Sequence, residues 1–305
     1  FFFQAEDGIR DRSPSRGLGD VYKRQHDTML FFTDRGKCYW LKVHEIPPGG
    51  RAARGRAIVN LLGTEPGEKV KAFVSVKTFD EDRFIVMATK KGKIKKTKLS
   101  AYGKPRKGGI YAIDIREEDE LIEAKITNGD NDIVLGTREG KSIRFPESDA
   151  RPMGRKTKGV TGIKLSSKHD CVVGMVVVRR EGTLLVATEK GYGKRTDVMQ
   201  YRIQKRSGKG VLAMRTNKKV GKMVAIMEVV DSDDLMVITD TGVLIRQPVE
   251  SIRTIGRVTQ GVKLIRLDEG AKISSLSRVA HVDTVEEEDP TSESEEPTIE
   301  VKDTT

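Results

Sequence analysis

Seven consecutive residues, Gln204, Lys205, Arg206, Ser207, Gly208, Lys209 and Gly210, carry three cations among two glycines and a serine. No apolar side chain interrupts them, so the stretch does not read as core. Glycine lets a backbone turn sharply and come close to a partner. Lys and Arg side chains beside free backbone N–H groups suit one chemistry above others, the holding of a phosphate backbone. The competing reading is a solvated basic turn. What weighs against it is recurrence, because weaker copies lie along the chain. One has Arg51, Arg54 and Arg56, and another Lys104, Arg106 and Lys107. A third has Arg151, Arg155, Lys156 and Lys158, and the last Arg253 and Arg257.

These loops need elements to position them, and a repeat supplies them. Five apolar runs, 29–33, 84–89, 133–137, 184–188 and 235–239, each end in Thr and lead into a turn closed by Gly36, Gly92, Gly140, Gly191 or Gly242. The turn glycines are 56, 48, 51 and 51 residues apart. Thr-x-x-Gly between two apolar runs is a hairpin signal. A second glycine follows each basic loop: Gly55, Gly109, Gly159, Gly210 and Gly261. It lies 19 residues after the turn glycine in four units and 17 after it in the other. A third strand is expected next, at 58–61, 110–113, 160–163, 211–214 and 262–265. A fourth is expected at 70–76, 120–124, 172–178, 222–229 and 272–279. Four short strands in about 50 residues is a propeller-blade pattern. The fold class is therefore all-β, with five visible four-stranded blades at about 26–80, 81–128, 129–178, 179–230 and 231–280.

Equivalent loops of a radial repeat fall at equivalent places on its rim, so five basic loops form a positive track around the outside. Such a track reads phosphates and shape rather than base edges. Lys194 and Arg195, on a second strand, join the loop cations as expected DNA contacts. Lys93, Lys95, Lys96 and Lys98 flank another second strand. Alternation places Lys96 and Lys98 on the face with Ile94, and Lys95 with Thr97 on the other.

Composition agrees. The 305 residues carry a net charge of +11, and charged residues make up 33%. Residues 281–305 hold ten Asp/Glu against one Lys, a net of −9, and residues 1–25 a net of +1, leaving +19 for residues 26–280. A basic body with an acidic tail points to a polyanion, nucleic acid first. Cys38 and Cys171 lack zinc or disulfide spacing, and the four histidines build no metal constellation. No apolar run approaches the roughly 18 residues of a membrane span. Gly50 and Gly55 have P-loop spacing, but Arg56 and Ala57 follow where Lys and Ser/Thr are needed. Residues 1–25 share neither periodicity and resemble sequencing-adapter read-through, with a disordered leader as the alternative. The tail reads as disordered by composition. There it serves solubility or competes with DNA for the rim; in the second case deleting 283–305 tightens DNA binding at low salt.

Four stretches together carry a family resemblance: Arg54-Gly55-Arg56-Ala57-Ile58-Val59-Asn60-Leu61-Leu62, Met87-Ala88-Thr89-Lys90-Lys91-Gly92, Gly191-Tyr192-Gly193-Lys194-Arg195-Thr196 and Ile255-Gly256-Arg257-Val258-Thr259-Gln260-Gly261-Val262. On these the chain resembles the C-terminal domain of the DNA gyrase A protein over residues 26–280. The resemblance implies a six-bladed β-pinwheel that wraps double-stranded DNA and supports ATP-dependent negative supercoiling by a type II topoisomerase. It implies a holoenzyme of two A and two B subunits in the bacterial cytoplasm, associated with the nucleoid. ATP and Mg belong to other parts of that assembly; this chain is expected to hold no cofactor, no metal and no catalytic residue. The family box reads Gln-Arg-Arg-Gly-Gly-Lys-Gly in the first blade, whereas here the nearest match has Lys205 and Ser207 and falls in what would be the fifth. The unit at His26 looks like the family's second, with residues 1–25 standing where the first would be. Two other readings stay open: the related topoisomerase IV domain, acting in decatenation and DNA-segment selection, and a propeller that binds protein or acts as an enzyme.

Overall fold

The computed structural model describes residues 27–47, 57–116, 118–180, 182–268 and 270–280. The leader 1–25, the tail 281–305 and the first basic loop with Arg51, Arg54 and Arg56 lie outside the described residues.

The first unit contains β1 (Thr28–Thr33), β2 (Lys37–Lys42), a helical turn α1 (Ile58–Leu62) and β3 (Val70–Val76). The second contains β4 (Phe84–Thr89), β5 (Lys93–Lys98), β6 (Ile110–Tyr111) and β7 (Leu121–Thr127). The third contains β8 (Asp132–Thr137), β9 (Lys141–Pro146), β10 (Val160–Thr161) and β11 (Val172–Val178). The fourth contains β12 (Thr183–Thr188), β13 (Tyr192–Asp197), β14 (Val211–Leu212) and β15 (Met223–Val229). The fifth contains β16 (Asp233–Thr239), β17 (Leu244–Pro248), β18 (Val262–Lys263) and β19 (Ile273–Ala280).

Local chemistry makes the hairpins. In each turn the glycine N–H bonds the carbonyl of the strand-ending threonine, as from Gly36 to Thr33 and from Gly92 to Thr89, both at 2.9 Å. In three of the turns the threonine hydroxyl also accepts from the N–H of the residue after the glycine: Thr33 from Lys37 (3.2 Å), Thr89 from Lys93 (3.2 Å) and Thr239 from Val243 (3.0 Å). The turn glycines have φ between +77° and +85°, which a side chain would resist.

The sheets are assembled by exchange between units. Four sheets have the orders β3-β1-β2-β6, β7-β4-β5-β10, β11-β8-β9-β14 and β15-β12-β13-β18. The outermost strand of each thus comes from the following unit, which corrects the expectation that all four strands of a blade lie within one unit. The second glycine makes this possible. Gly159 and Gly210 have φ near +70°, and a Cβ on Gly159 would lie 2.6 Å from the Ile94 carbonyl oxygen of the preceding sheet. The fifth sheet, β17-β16-β19, has three strands among the described residues.

Expected strand 58–61 is instead helical, capped by Gly63 in the left-handed region. No preceding sheet edge exists for it among the described residues, so its backbone bonds to itself. It covers the outer face of the first sheet, where Leu62 is buried with Met29, Phe31, Tyr39 and Leu41.

Strand alternation builds the core between sheets. Ile85 and Met87 face the first sheet beside Leu30 and Phe32, while Val86 and Ala88 face the third beside Ile133 and Leu135. Successive sheets meet along β3, β7, β11, β15 and β19. The short second-glycine strands lie at the opposite edge, which puts the basic loops on the outer rim.

Candidate nucleic-acid interface

Each described basic loop runs along the outer strand of the preceding sheet before entering its own short strand. The second unit's loop is approached by a bond from the Trp40 indole N–H to the Tyr102 carbonyl (2.8 Å). In later units a backbone bond starts the docking: Met153 to Lys96 O (2.8 Å), Gln204 to Arg144 O (2.8 Å) and Ile255 to Arg195 O (2.9 Å). Neighbouring loops are joined as well, since Ser207 donates to Gly162 O (2.6 Å) and Lys164 to Gly208 O (2.9 Å). Loops anchored this way present side chains from a fixed backbone.

Their cations divide into two sets. Lys104, Arg106, Lys107, Lys156, Lys158, Lys205 and Lys209 are exposed, as are Arg151 and Arg253. Arg155, Arg206 and Arg257, at one equivalent position, are half-buried. Arg206 donates through Nε to Asp149 O (2.9 Å) and through a terminal nitrogen to Thr161 O (3.0 Å). Arg257 donates likewise to Leu212 O (2.7 Å). These guanidiniums fasten one loop to the previous unit's short strand, and only their remaining N–H groups face outward. Lys158 lies 3.9 Å from Asp114, an exposed pairing that water screens.

Lys194 and Arg195 are corrected by the structure. Lys194 is 0% exposed and Arg195 7%. The Lys194 ammonium donates to Gly256 O (2.8 Å) and to Arg257 O. Arg195 donates to Ile252 O (2.7 Å) and pairs with Asp231. Neither head group is presented to a phosphate, because the fifth unit's loop lies over the strand that carries them. The third unit's loop in the same way covers Lys95 and Lys96, which are buried, while Lys93 is half-buried and Lys98 exposed.

A second repeated device joins two residues the sequence reading passed over, Trp40 and Arg144, with Lys96 and Arg195, which it placed in other roles. Four residues after the turn glycine stand Trp40, Lys96, Arg144 and Arg195, and each reaches the 3-10 turn that opens the next unit's loop. Trp40 reaches Tyr102 O, Lys96 reaches Glu147 (3.1 Å), Arg144 reaches Val198 O (2.9 Å) and Arg195 reaches Ile252 O. The fixed offset of these long donors from the glycine was a usable signal. Cys38 is buried and Cys171 half-buried, both as free thiols.

The family model described as DNA gyrase C-terminal domain, beta-propeller, matches residues 27–77, 83–128, 131–179, 182–229 and 233–280. The DNA gyrase A protein of Haemophilus influenzae is 41% identical over 285 residues, covering 85% of this chain and 32% of that relative. The chain thus spans about a third of the length of the curated relatives it matches. Among solved structures, the C-terminal domain of DNA topoisomerase IV superposes with a TM-score of 0.77 at 24% identity, covering 84% of this chain and 80% of that one. The DNA gyrase A C-terminal domain superposes with a TM-score of 0.72 at 23% identity, covering 84% and 83%. At these identities the superpositions speak for the fold.

Proposed function

The chain belongs to the DNA gyrase C-terminal-domain family, and on that premise we propose that it binds double-stranded DNA without sequence preference and bends it around its outer rim. The observation that carries this reading is the row of four described loops on the outer edges of successive sheets, each displaying exposed Lys or Arg. Bending a 20–30 base-pair site smoothly by 40–90° costs on the order of 1–6 kcal/mol. Phosphate contacts offset that cost by releasing counterions. In the whole protein the wrapped segment is presented for passage through a second duplex. The domain thereby supports ATP-dependent negative supercoiling by an assembly of two A and two B subunits in the bacterial cytoplasm, at the nucleoid. Strand breakage, ATP and Mg belong to parts outside this chain. The likeness to the topoisomerase IV domain keeps DNA-segment selection in decatenation as a second reading; the names of the sequence relatives favour gyrase.

Two measurements test the proposal. If the nine exposed loop cations named above each neutralise one phosphate, log affinity falls against log salt with a slope of about −8. Relaxed circles closed while bound by the chain retain positive writhe. A flat salt dependence, or circles without writhe, overturns it.

A further inference from the structure

Lys95 and Lys194 occupy the same place in two units, three residues after turn glycines Gly92 and Gly191. Both are 0% exposed. Lys95 Nζ donates to Ala112 O (2.6 Å) and to Arg155 O. Lys194 Nζ donates to Gly256 O (2.8 Å), Arg257 O and Thr259 Oγ1 (3.3 Å). Every one of these acceptors except Ala112 lies in the basic loop of the next unit. Among the described residues neither ammonium has a carboxylate hydrogen-bond partner. Between them, the third unit carries Ile143 at this place, with Gly208 of its covering loop packed against it.

We propose that Lys95 and Lys194 are positioning residues for DNA binding, buried ammonium groups that cap inward-facing carbonyls of loops 153–159 and 255–261 and so hold those loops' outward cations in register with a phosphate backbone. This rests on the DNA-binding reading above. Buried carbonyls left without donors are unfavourable, so a loop that lost its lysine would lift to reach water. A buried lysine is otherwise an unfavourable choice. Burial lowers Lys95 to about 7, with Asp114 opposing and Arg155 reinforcing the shift. Burial and then Arg257 lower Lys194 to about 8. Even as a neutral amine, Lys95 keeps two N–H groups for its two carbonyls. Loop 204–210 has no lysine beneath it; the Ser207 N–H bond to Gly162 O fastens it, beside guanidinium bonds from Arg206 of the kind that Arg257 also makes.

Lys95→Ile and Lys194→Ile test this, since isoleucine is what the third unit carries at this place. They are made singly in the 305-residue chain, beside the double variant K156A/K158A. In K95I, amide hydrogen exchange within 153–159 rises about tenfold while 204–210 keeps its wild-type rates. In K194I the rise falls within 255–261. For linear duplex DNA, K95I lowers the salt slope by about two, the contribution of Lys156 and Lys158, although Lys95 itself is buried. Adding K156A/K158A to K95I produces no further fall. Unchanged exchange overturns the proposal, as does raised exchange with an unaltered slope. Exchange that rises throughout the chain makes these lysines general stabilisers and overturns it too. A wild-type chain without salt-dependent DNA binding overturns the underlying DNA reading, a result separable from the loop-exchange arm.

Discussion

Lys96 and Glu147 form a 3.1 Å ion pair whose carboxylate side chain is 0% exposed. The lysine is on β5 and the glutamate opens the 3-10 turn of the next unit, so the pair joins two blades beneath a basic loop. Thr127 adds a hydroxyl donor to Glu147 at 2.6 Å, and the Phe84 ring lies 4.3 Å from the ammonium. Lys96→Met leaves the carboxylate buried without its cation, which costs about 3–5 kcal/mol. The double variant K96M/E147M regains most of that loss, because a buried pair replaced by apolar side chains is often neutral. Denaturant unfolding of the two variants checks both statements; equal losses in them contradict the pairing argument.

Ser207 has φ +67° in a loop whose other left-handed residue is Gly210. A left-handed conformation costs a non-glycine residue about 1–2 kcal/mol. Ser207→Gly relieves this and stabilises the chain by about 0.5–1 kcal/mol once the added freedom of the unfolded glycine is deducted. Gly210→Ala acts in the other direction. Its φ is +70° and its Cβ would run into the Ser142 carbonyl of the neighbouring sheet, so it destabilises by about 1–3 kcal/mol. Unfolding midpoints of the two variants should move in opposite directions.

Lys205 and Lys209 are exposed, whereas Arg206 is bonded to two carbonyls. Lys205→Ala with Lys209→Ala therefore lowers the DNA salt slope by about two, at roughly one per phosphate contact, with unfolding unchanged. Arg206→Ala alone lowers the unfolding midpoint as well. Fluorescence anisotropy across a salt series, beside thermal melts, separates the two behaviours.

Glu120 ties Lys90 of the β4–β5 turn (2.6 Å) to Lys71 of β3 (2.9 Å). Those two ammonium groups, Lys90 foremost, hold its carboxyl at about 2 against an ordinary value of 4.5. A depressed carboxyl contributes stability that is complete above pH 4.5 and is lost as pH falls towards 2. Glu120→Gln therefore flattens the acid side of the stability profile between pH 5 and 2. Denaturant midpoints measured across that window should converge for the two proteins at the acid end. Parallel curves would contradict the assignment.

The hairpins were legible because their signals are short-range. Thr89, Gly92 and the apolar runs on either side interact within a few residues, so spacing alone placed β4 and β5. The rim was legible because the second glycines and their cations recur at nearly fixed offsets. Lys95, Lys96, Lys194 and Arg195 were not legible as interior residues. In sequence they read like any lysines and arginines flanking a strand, and what buries them is a loop about 60 residues further on. The segment 58–62 was equally opaque, since Ile58 and Val59 suit a strand only where an edge awaits them.

Turn chemistry and periodicity, both readable from the order of residues, specify five hairpin units, the succession of their strands and the recurrence of basic loops. Which sheet each short strand joins, and which cations reach solvent, is settled in the folded chain. A two-residue strand such as β14 has too few bonds to choose its own partner. The choice falls to the neighbouring sheet, against whose edge only a glycine such as Gly210 can lie closely enough, and docking of this kind leaves Lys205 and Lys209 outward while loops 153–159 and 255–261 cover Lys95 and Lys194.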